Sequence, residues 1–152
     1  MPRKGFTYIE LFVVIGIVAL LTSMFFSAYR TFSRRQLLKK ETYRFVEMLD
    51  GARKRASSRL AFCPTYNGEY KVTWTTGGYF LTPAGCSVQP TYALPPLITI
   101  DANGFVIYNA IGLNGPAECV ILRDTTSSQC RKVTISAGGT TDEQIEADCA
   151  CP

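Results

Sequence analysis

The chain has 152 residues, six of them cysteine and none histidine, with 47% hydrophobic and 18% charged side chains and a formal charge of +4. That length holds one modest domain plus an extra element, and the lack of histidine excludes Ser-His-Asp and Cys-His catalysis and most mixed zinc sites. The charge is unevenly placed. Arg30, Arg34, Arg35, Lys39, Lys40, Arg44, Arg53, Lys54, Arg55 and Arg59 stand against Glu41, Glu47 and Asp50, whereas from Leu60 onward Lys71, Arg123, Arg131 and Lys132 face eight acidic residues. A basic stem with a mildly acidic head argues against a nucleic-acid-binding globular surface.

Residues 1–5, MPRKG, are short, basic and polar, and Phe6 to Phe26 is then almost wholly apolar. A run of about 20 apolar residues spans a bilayer as a helix. A secretory signal peptide has a shorter apolar core and a small-residue cleavage site after it, and this run has neither. Arg3 and Lys4 favour a cytoplasmic N-terminus, while the basic residues from Arg30 onward oppose export of the head. The cysteines decide between them: all six lie from Cys63 onward, which suits an oxidising compartment outside the cytoplasm.

No proline occurs between Pro2 and Pro64, so the helical pattern continues beyond the membrane. Phe45, Met48, Leu49, Ala52, Ala56 and Leu60 recur at three- and four-residue intervals as one apolar stripe. One helix from about Thr7 to about Arg59 would be roughly 80 Å long, weakest at Gly51 and ended by Cys63-Pro64. The expected divisions are a membrane-spanning part over 6–28, an amphipathic part over 29–62 and a cysteine-rich head over 63–152.

Within the head the period changes to two. Tyr70, Val72 and Trp74 alternate with Lys71, Thr73 and Thr75, and Gly77-Gly78 turns into Tyr79-Phe80-Leu81, which predicts a hairpin. Leu97 to Ile100, a turn over 101–104 and Phe105 to Tyr108 predict a second. Cys119 to Leu122, a polar loop and Arg131 to Ile135 predict a third. Pro83 to Pro96 reads as a loop, and from Gly138 the tail is polar and acidic. The expected fold class is α+β: a long N-terminal helix whose apolar stripe covers one face of an antiparallel sheet.

Cys63 and Cys86 bracket the first hairpin, and a bond between them would contribute roughly 3 kcal/mol. Cys119 and Cys130 sit on the two arms of the third hairpin. Cys149 and Cys151 are too close in sequence to bond comfortably to each other. One or both tying the tail back to the sheet would force another pairing scheme, so the connectivity stays open. A thiolate metal site is disfavoured without histidine, and the absence of a Cys-x-x-Cys pair argues against redox catalysis. Neither a metal nor a cofactor is expected. Tyr66, Tyr79 and Tyr92 are candidates for surface contacts. Asp101, Asp124, Glu118 and Glu69 are the candidate acids of an exported enzyme, scattered and without paired spacing.

Glu10 is the informative residue of the apolar segment. A lone carboxylate there costs about 2.5–3.5 kcal/mol on insertion scales, so it calls for a partner or for a position near the headgroups, to which it would snorkel. Lys4-Gly5-Phe6-Thr7-Tyr8-Ile9-Glu10-Leu11, followed by FVVIGIVALL, resembles the type III signal of type IV prepilins and type II secretion pseudopilins. The resemblance covers about the first 30 residues strongly and the head only in outline. It implies cleavage after Gly5 by a membrane prepilin peptidase and N-methylation of the new N-terminus at Phe6. It implies that Glu10 pairs with the N-terminal amine of a neighbouring subunit, so that a charge buried in the filament core finds compensation only in register. The implied partners are other pilin subunits, the peptidase, an inner-membrane assembly platform with its ATPase, and the membrane itself before assembly.

Phe45-x-x-x-Leu49-x-x-Ala52-Arg53-x-x-Ala56, Ile98-x-x-Asp101-x-x-Gly104 and Arg131-Lys132-Val133-Thr134-Ile135-Ser136-x-x-Gly139 are similar to the GspH/FimT group of minor pseudopilins. Some members of that group bind DNA through arginines after the last glycine. Here Thr140, Thr141, Asp142 and Glu143 occupy those positions, and acidic residues there repel phosphate. Arg131 and Lys132 remain as one basic pair for a nucleic-acid contact, too few charges for much phosphate affinity. The sequence also lacks the proline that many pilins carry in the membrane helix. The expectation is a non-enzymatic minor pilin or pseudopilin, in the inner membrane before assembly and in the periplasm or a surface pilus afterwards. It would act in adhesion, motility, DNA uptake or secretion. The competing class is a membrane-tethered exported enzyme or binding domain.

Overall fold

The computed structural model describes residues 7–59, 63–87, 91–127, 129–144 and 149–151. Residues 1–5, the Gly5–Phe6 bond and Leu60 of the apolar stripe lie outside them. The protein is α+β, and its chain falls into two compact units, Met1–Gln36 and Leu37–Pro152. One helix, α1 (Tyr8–Ser57), contributes to both.

In the first unit α1 starts where Thr7 accepts the Glu10 and Leu11 amides on its carbonyl, at 3.1 and 3.2 Å. Tyr8, Ile9, Leu11, Phe12, Val13, Val14, Ile15, Ile17, Val18, Leu20 and Leu21 are all exposed. The most apolar stretch buries none of its residues, and the helix is long and apolar enough to cross a membrane. A helix apolar on every side needs an apolar surrounding.

In the second unit the helix is amphipathic. Leu38, Phe45, Leu49, Ala52 and Ala56 are buried, while Met48 of the expected stripe is half-buried. The helix stops at Ser57, short of Cys63-Pro64. The Ser58 and Arg59 amides bond back to the Lys54 and Ala56 carbonyls, and Arg59 takes a left-handed conformation at φ 49°. The last turn tightens and closes in the way glycine-capped helices do. Lys54 and Arg55 lie in that turn, where cations favour the dipole.

The head contains two four-stranded antiparallel sheets, not one. Its strands are β1 (Tyr70–Thr75), β2 (Gly78–Pro83), β3 (Tyr92–Ala93), β4 (Ile98–Ile100), β5 (Gly104–Tyr108), β6 (Glu118–Asp124), β7 (Cys130–Ile135) and β8 (Thr141–Gln144). The first sheet has the order β3-β2-β1-β5 and the second β4-β6-β7-β8. The predicted hairpins β1–β2 and β6–β7 are present, paired from Thr75↔Gly78 to Tyr70↔Pro83 and from Arg123↔Cys130 to Glu118↔Ile135.

The second expected hairpin does not form. β4 pairs with β6 and β5 pairs with β1, so residues 101–103 carry the chain from one sheet to the other. The Asp101 amide bonds to the Ile121 carbonyl on β6 at 3.1 Å. The Asn103 side chain accepts the Thr76 amide at 3.0 Å beside β1. Gly104, opposite Trp74, lets β5 enter the first sheet: a Cβ there would stand 2.7 Å from Trp74 Cζ2. The expected loop 83–96 contains the two-residue edge strand β3, and the acidic tail contains β8, paired with β7.

Inward residues of both sheets share one core with the helix. Tyr70, Val72, Trp74 and Tyr108 come from the first sheet, Ile100, Leu122, Val133 and Ile135 from the second. Phe45 meets Trp74 and Tyr79 edge-on, with ring centroids 5.8 and 5.1 Å away. Such pairs add about 0.5–1.5 kcal/mol to area burial.

Candidate functional site

The residues at which the sequence concentrates function lie in different places. Glu10 stands in the first turn of α1, exposed, as the acid of that turn. The Thr7 hydroxyl donates to its carboxylate at 3.5 Å. Thr7 and Glu10 have the spacing of a capping box, but the contact joins the two side chains, and the Glu10 and Leu11 amides bond to the Thr7 carbonyl instead. This contact was not anticipated from the sequence, although Thr-x-x-Glu before an apolar run is the spacing that permits it. The contact with Thr7 leaves the Glu10 carboxylate open to a neighbour as well, because a carboxylate has several acceptor positions.

The cysteines are all paired among the described residues. Cys63 bonds Cys86 with Cα atoms 6.0 Å apart, closing the chain between the helix end and the exit of the first hairpin. Cys119 bonds Cys151 and Cys130 bonds Cys149. A bond between Cys119 and Cys130 is excluded by register. Cys119 lies opposite Thr134 and Cys130 opposite Arg123, so the two sit four steps apart along the ladder, about 13 Å, well beyond the roughly 7 Å limit for a bridge. The tail therefore ties to both strands of the third hairpin.

The basic pair Arg131–Lys132 lies on β7. Arg131 forms an ion pair with Glu143 of β8, and both side chains are largely covered. Register explains the contact, since β8 runs alongside β7 with Val133 opposite Glu143. A guanidinium engaged in this way offers little to a phosphate. On the helix side, the Thr141 hydroxyl donates to Asp50 at 2.8 Å.

Two of the four acidic candidates of an enzyme reading, Asp101 and Asp124, have structural partners. Asp101 takes a bidentate pair from Arg123, at 3.0 and 2.7 Å. Burial pushes the Asp124 carboxyl up. Hydrogen bonds from the Thr126 amide and hydroxyl and the Ser127 amide outweigh it and hold the group below the usual carboxylate range. Asp124 thus stabilises the turn after β6. Among the described residues no group of three acids or cysteines could hold a metal.

Of the tyrosine candidates, Tyr79 is buried under Phe45, Tyr66 keeps its hydroxyl covered, and Tyr92 is exposed. Tyr92 stacks on Tyr79 with centroids 5.7 Å apart. It lines an open groove of about 620 Å³ with Arg44, Glu47, Gly51 and Arg55 of the helix. In that groove charged and aromatic groups converge, but among its described lining residues no nucleophile stands beside a base.

No family model matches the chain, and no solved structure matches it.

Proposed function

We propose that this chain is a type IV pilin-like subunit, a minor pilin or pseudopilin, cut after Gly5 and assembled through its N-terminal helix. Glu10 carries the reading. It is the sole carboxylate between the N-terminus and Glu41, and it sits on a helical segment whose apolar side chains are exposed all round. Cleavage after Gly5 places a free amine at Phe6, four residues before Glu10 in the sequence. In a bundle of such helices the carboxylate of one chain and the amine of the next neutralise each other, and removing either leaves a buried charge, typically costing about 3–5 kcal/mol. The helix supplies packing, the Glu10–Phe6 pairing supplies register, and the disulfide-tied head faces outward. Prepilin peptidase, other pilin subunits and an inner-membrane assembly platform are the partners. The chain is a membrane protein before assembly and lies in a periplasmic or surface filament afterwards.

The reading is supported by the sequence around Gly5, by the length and exposure of the apolar helix, and by an amphipathic helix half covered by a β-sheet head. The test is mass spectrometry of the membrane-extracted protein from cells with an active prepilin peptidase. A chain beginning at N-methyl-Phe6, incorporated into filaments as wild type but not as Glu10→Ala, is the expected outcome. An uncut N-terminus would sink the proposal. Glu10 would then be only a side-chain partner of Thr7 at the helix start, and the groove beside Tyr92 would favour a membrane-tethered exported binding domain.

A further inference from the structure

No acidic residue occurs between Glu10 and Glu41, yet Arg30, Arg34 and Arg35 come directly after the apolar run. All three lie on α1 within the first unit, and none makes an ion pair among the described residues. Arg30 and Arg34 are one helical turn apart and share a face. The Arg30 guanidinium lies 4.6 Å from the Phe26 ring centroid, over the last apolar turn. Tyr29 and Phe32 beside these cations are exposed.

Distance along the helix gives this cluster a place. From Tyr8 to Phe26 the helix rises about 27 Å at 1.5 Å per residue, close to the roughly 30 Å hydrocarbon thickness of a bilayer. Arg30 is then about 6 Å beyond the last apolar residue and Arg35 about 13 Å, within or beside the headgroup layer. Exposed aromatic rings interleaved with cations match that layer, where amphipathic rings concentrate. The cations have no topogenic explanation. The disulfides place the head outside the cytoplasm, and positive charge is ordinarily retained on the cytoplasmic side.

We infer that Arg30, Arg34 and Arg35 form a cationic collar that binds the anionic phospholipid headgroups of the bilayer its own helix crosses, on the side of the head. The collar rests on the membrane placement of α1, which the proposed function shares, and not on cleavage or filament formation. It holds the helix at a defined depth in the bilayer. Guanidinium groups suit the task because they bind phosphate oxygens in a bidentate fork.

The test uses the full chain, purified in a neutral detergent and equilibrated with mixed micelles of equal phosphatidylglycerol and phosphatidylcholine. Retained lipid is counted by mass spectrometry for wild type, R30Q/R34Q/R35Q and R30K/R34K/R35K. The wild type is expected to retain phosphatidylglycerol over phosphatidylcholine by about fivefold or more at low salt, since each cation near an anionic surface contributes an interaction of that size. The ratio should fall towards one in the glutamine variant and at high salt, and persist in the lysine variant. All three proteins should co-float with neutral vesicles, because the apolar helix is unchanged. A ratio near one in the wild type, an equal ratio in the glutamine variant, or insensitivity to salt would overturn the collar. So would failure of the wild type to float, which removes the bilayer from the argument. Arginine-dependent self-association without lipid preference would assign these charges to the acidic head of a second copy and equally overturn it. Lipid ratios are measured on uncut and Gly5-cleaved chains, so absent cleavage refutes the pilin reading without touching this one.

Discussion

Replacing Cys119 and Cys151 with serine, or Cys130 and Cys149, removes one of the two bonds that tie the tail to the third hairpin. β8 has no fully buried side chain of its own, so the tail relies on its ladder to β7, the Arg131–Glu143 pair and these bonds. The sequence separations are 32 and 19 residues. Taken alone, chain-entropy arithmetic gives about 3.7 and 3.3 kcal/mol. The bonds are nested, however. With either one intact, the other closes only the short circuit from Cys119 to Cys130 and from Cys149 to Cys151, about 14 residues, worth about 3 kcal/mol. Each single removal should therefore cost about 3 kcal/mol, and removal of both about 6–7 kcal/mol, nearly the sum. The assay is guanidinium unfolding of the full chain in mild detergent, read by fluorescence of Trp74, which is the one tryptophan and is buried. Unchanged midpoints in the variant lacking both bonds would refute the reasoning, because the tail would then contribute nothing to the cooperative unit. A large loss from one bond and none from the other would show that a single tie suffices.

Two glycines should respond in opposite directions to alanine. Gly104→Ala places a Cβ against the Trp74 ring and should lower stability by roughly 1–3 kcal/mol, whereas Gly51→Ala in the helix meets nothing within 4 Å and should raise it by up to about 1 kcal/mol. Matched denaturation midpoints would reveal either estimate as wrong. High pH should also unfold the head. Burial first, then the nearby Glu41 and Asp50 carboxylates, push the Tyr79 and Tyr108 hydroxyls up to about 12. The folded state then keeps protons that the unfolded chain releases near its ordinary value. Stability is fully present below about pH 10 and falls as pH rises towards about 12, by on the order of 2–3 kcal/mol for each tyrosine. A pH titration of the unfolding midpoint checks this, and a flat profile between about pH 9 and 12 would contradict it.

The amino-acid sequence by itself determined the elements whose partners are close in the chain. The apolar run and the stripe from Phe45 to Ala56 specify a helix and its buried face, because a 3.6-residue period leaves few alternatives. The alternations Tyr70-Val72-Trp74 and Arg131 to Ile135 signal strands, and the hairpins expected there form, but a short connection alone does not guarantee pairing, as residues 101–103 show. Gly5, Phe6 and Glu10, on which the proposed processing and assembly rest, stand out as a motif, and Arg30, Arg34 and Arg35 as charge without a nearby acid in the sequence.

Tertiary structure alone decided which strands meet across long separations. Ile98, Ile100, Val106 and Tyr108 all mark inward faces, but alternation states which side of a strand is buried and not which strand lies beside it. Hence β4 and β5, adjacent in sequence, enter different sheets. Only β7 gives the polar Thr141–Gln144 a reason to extend, through its free edge and through Arg131. The cysteine pairing had the same origin. Spacing allowed several schemes, and the β6–β7 register, by setting Cys119 and Cys130 at opposite ends of the ladder, left the tail cysteines as the partners within reach.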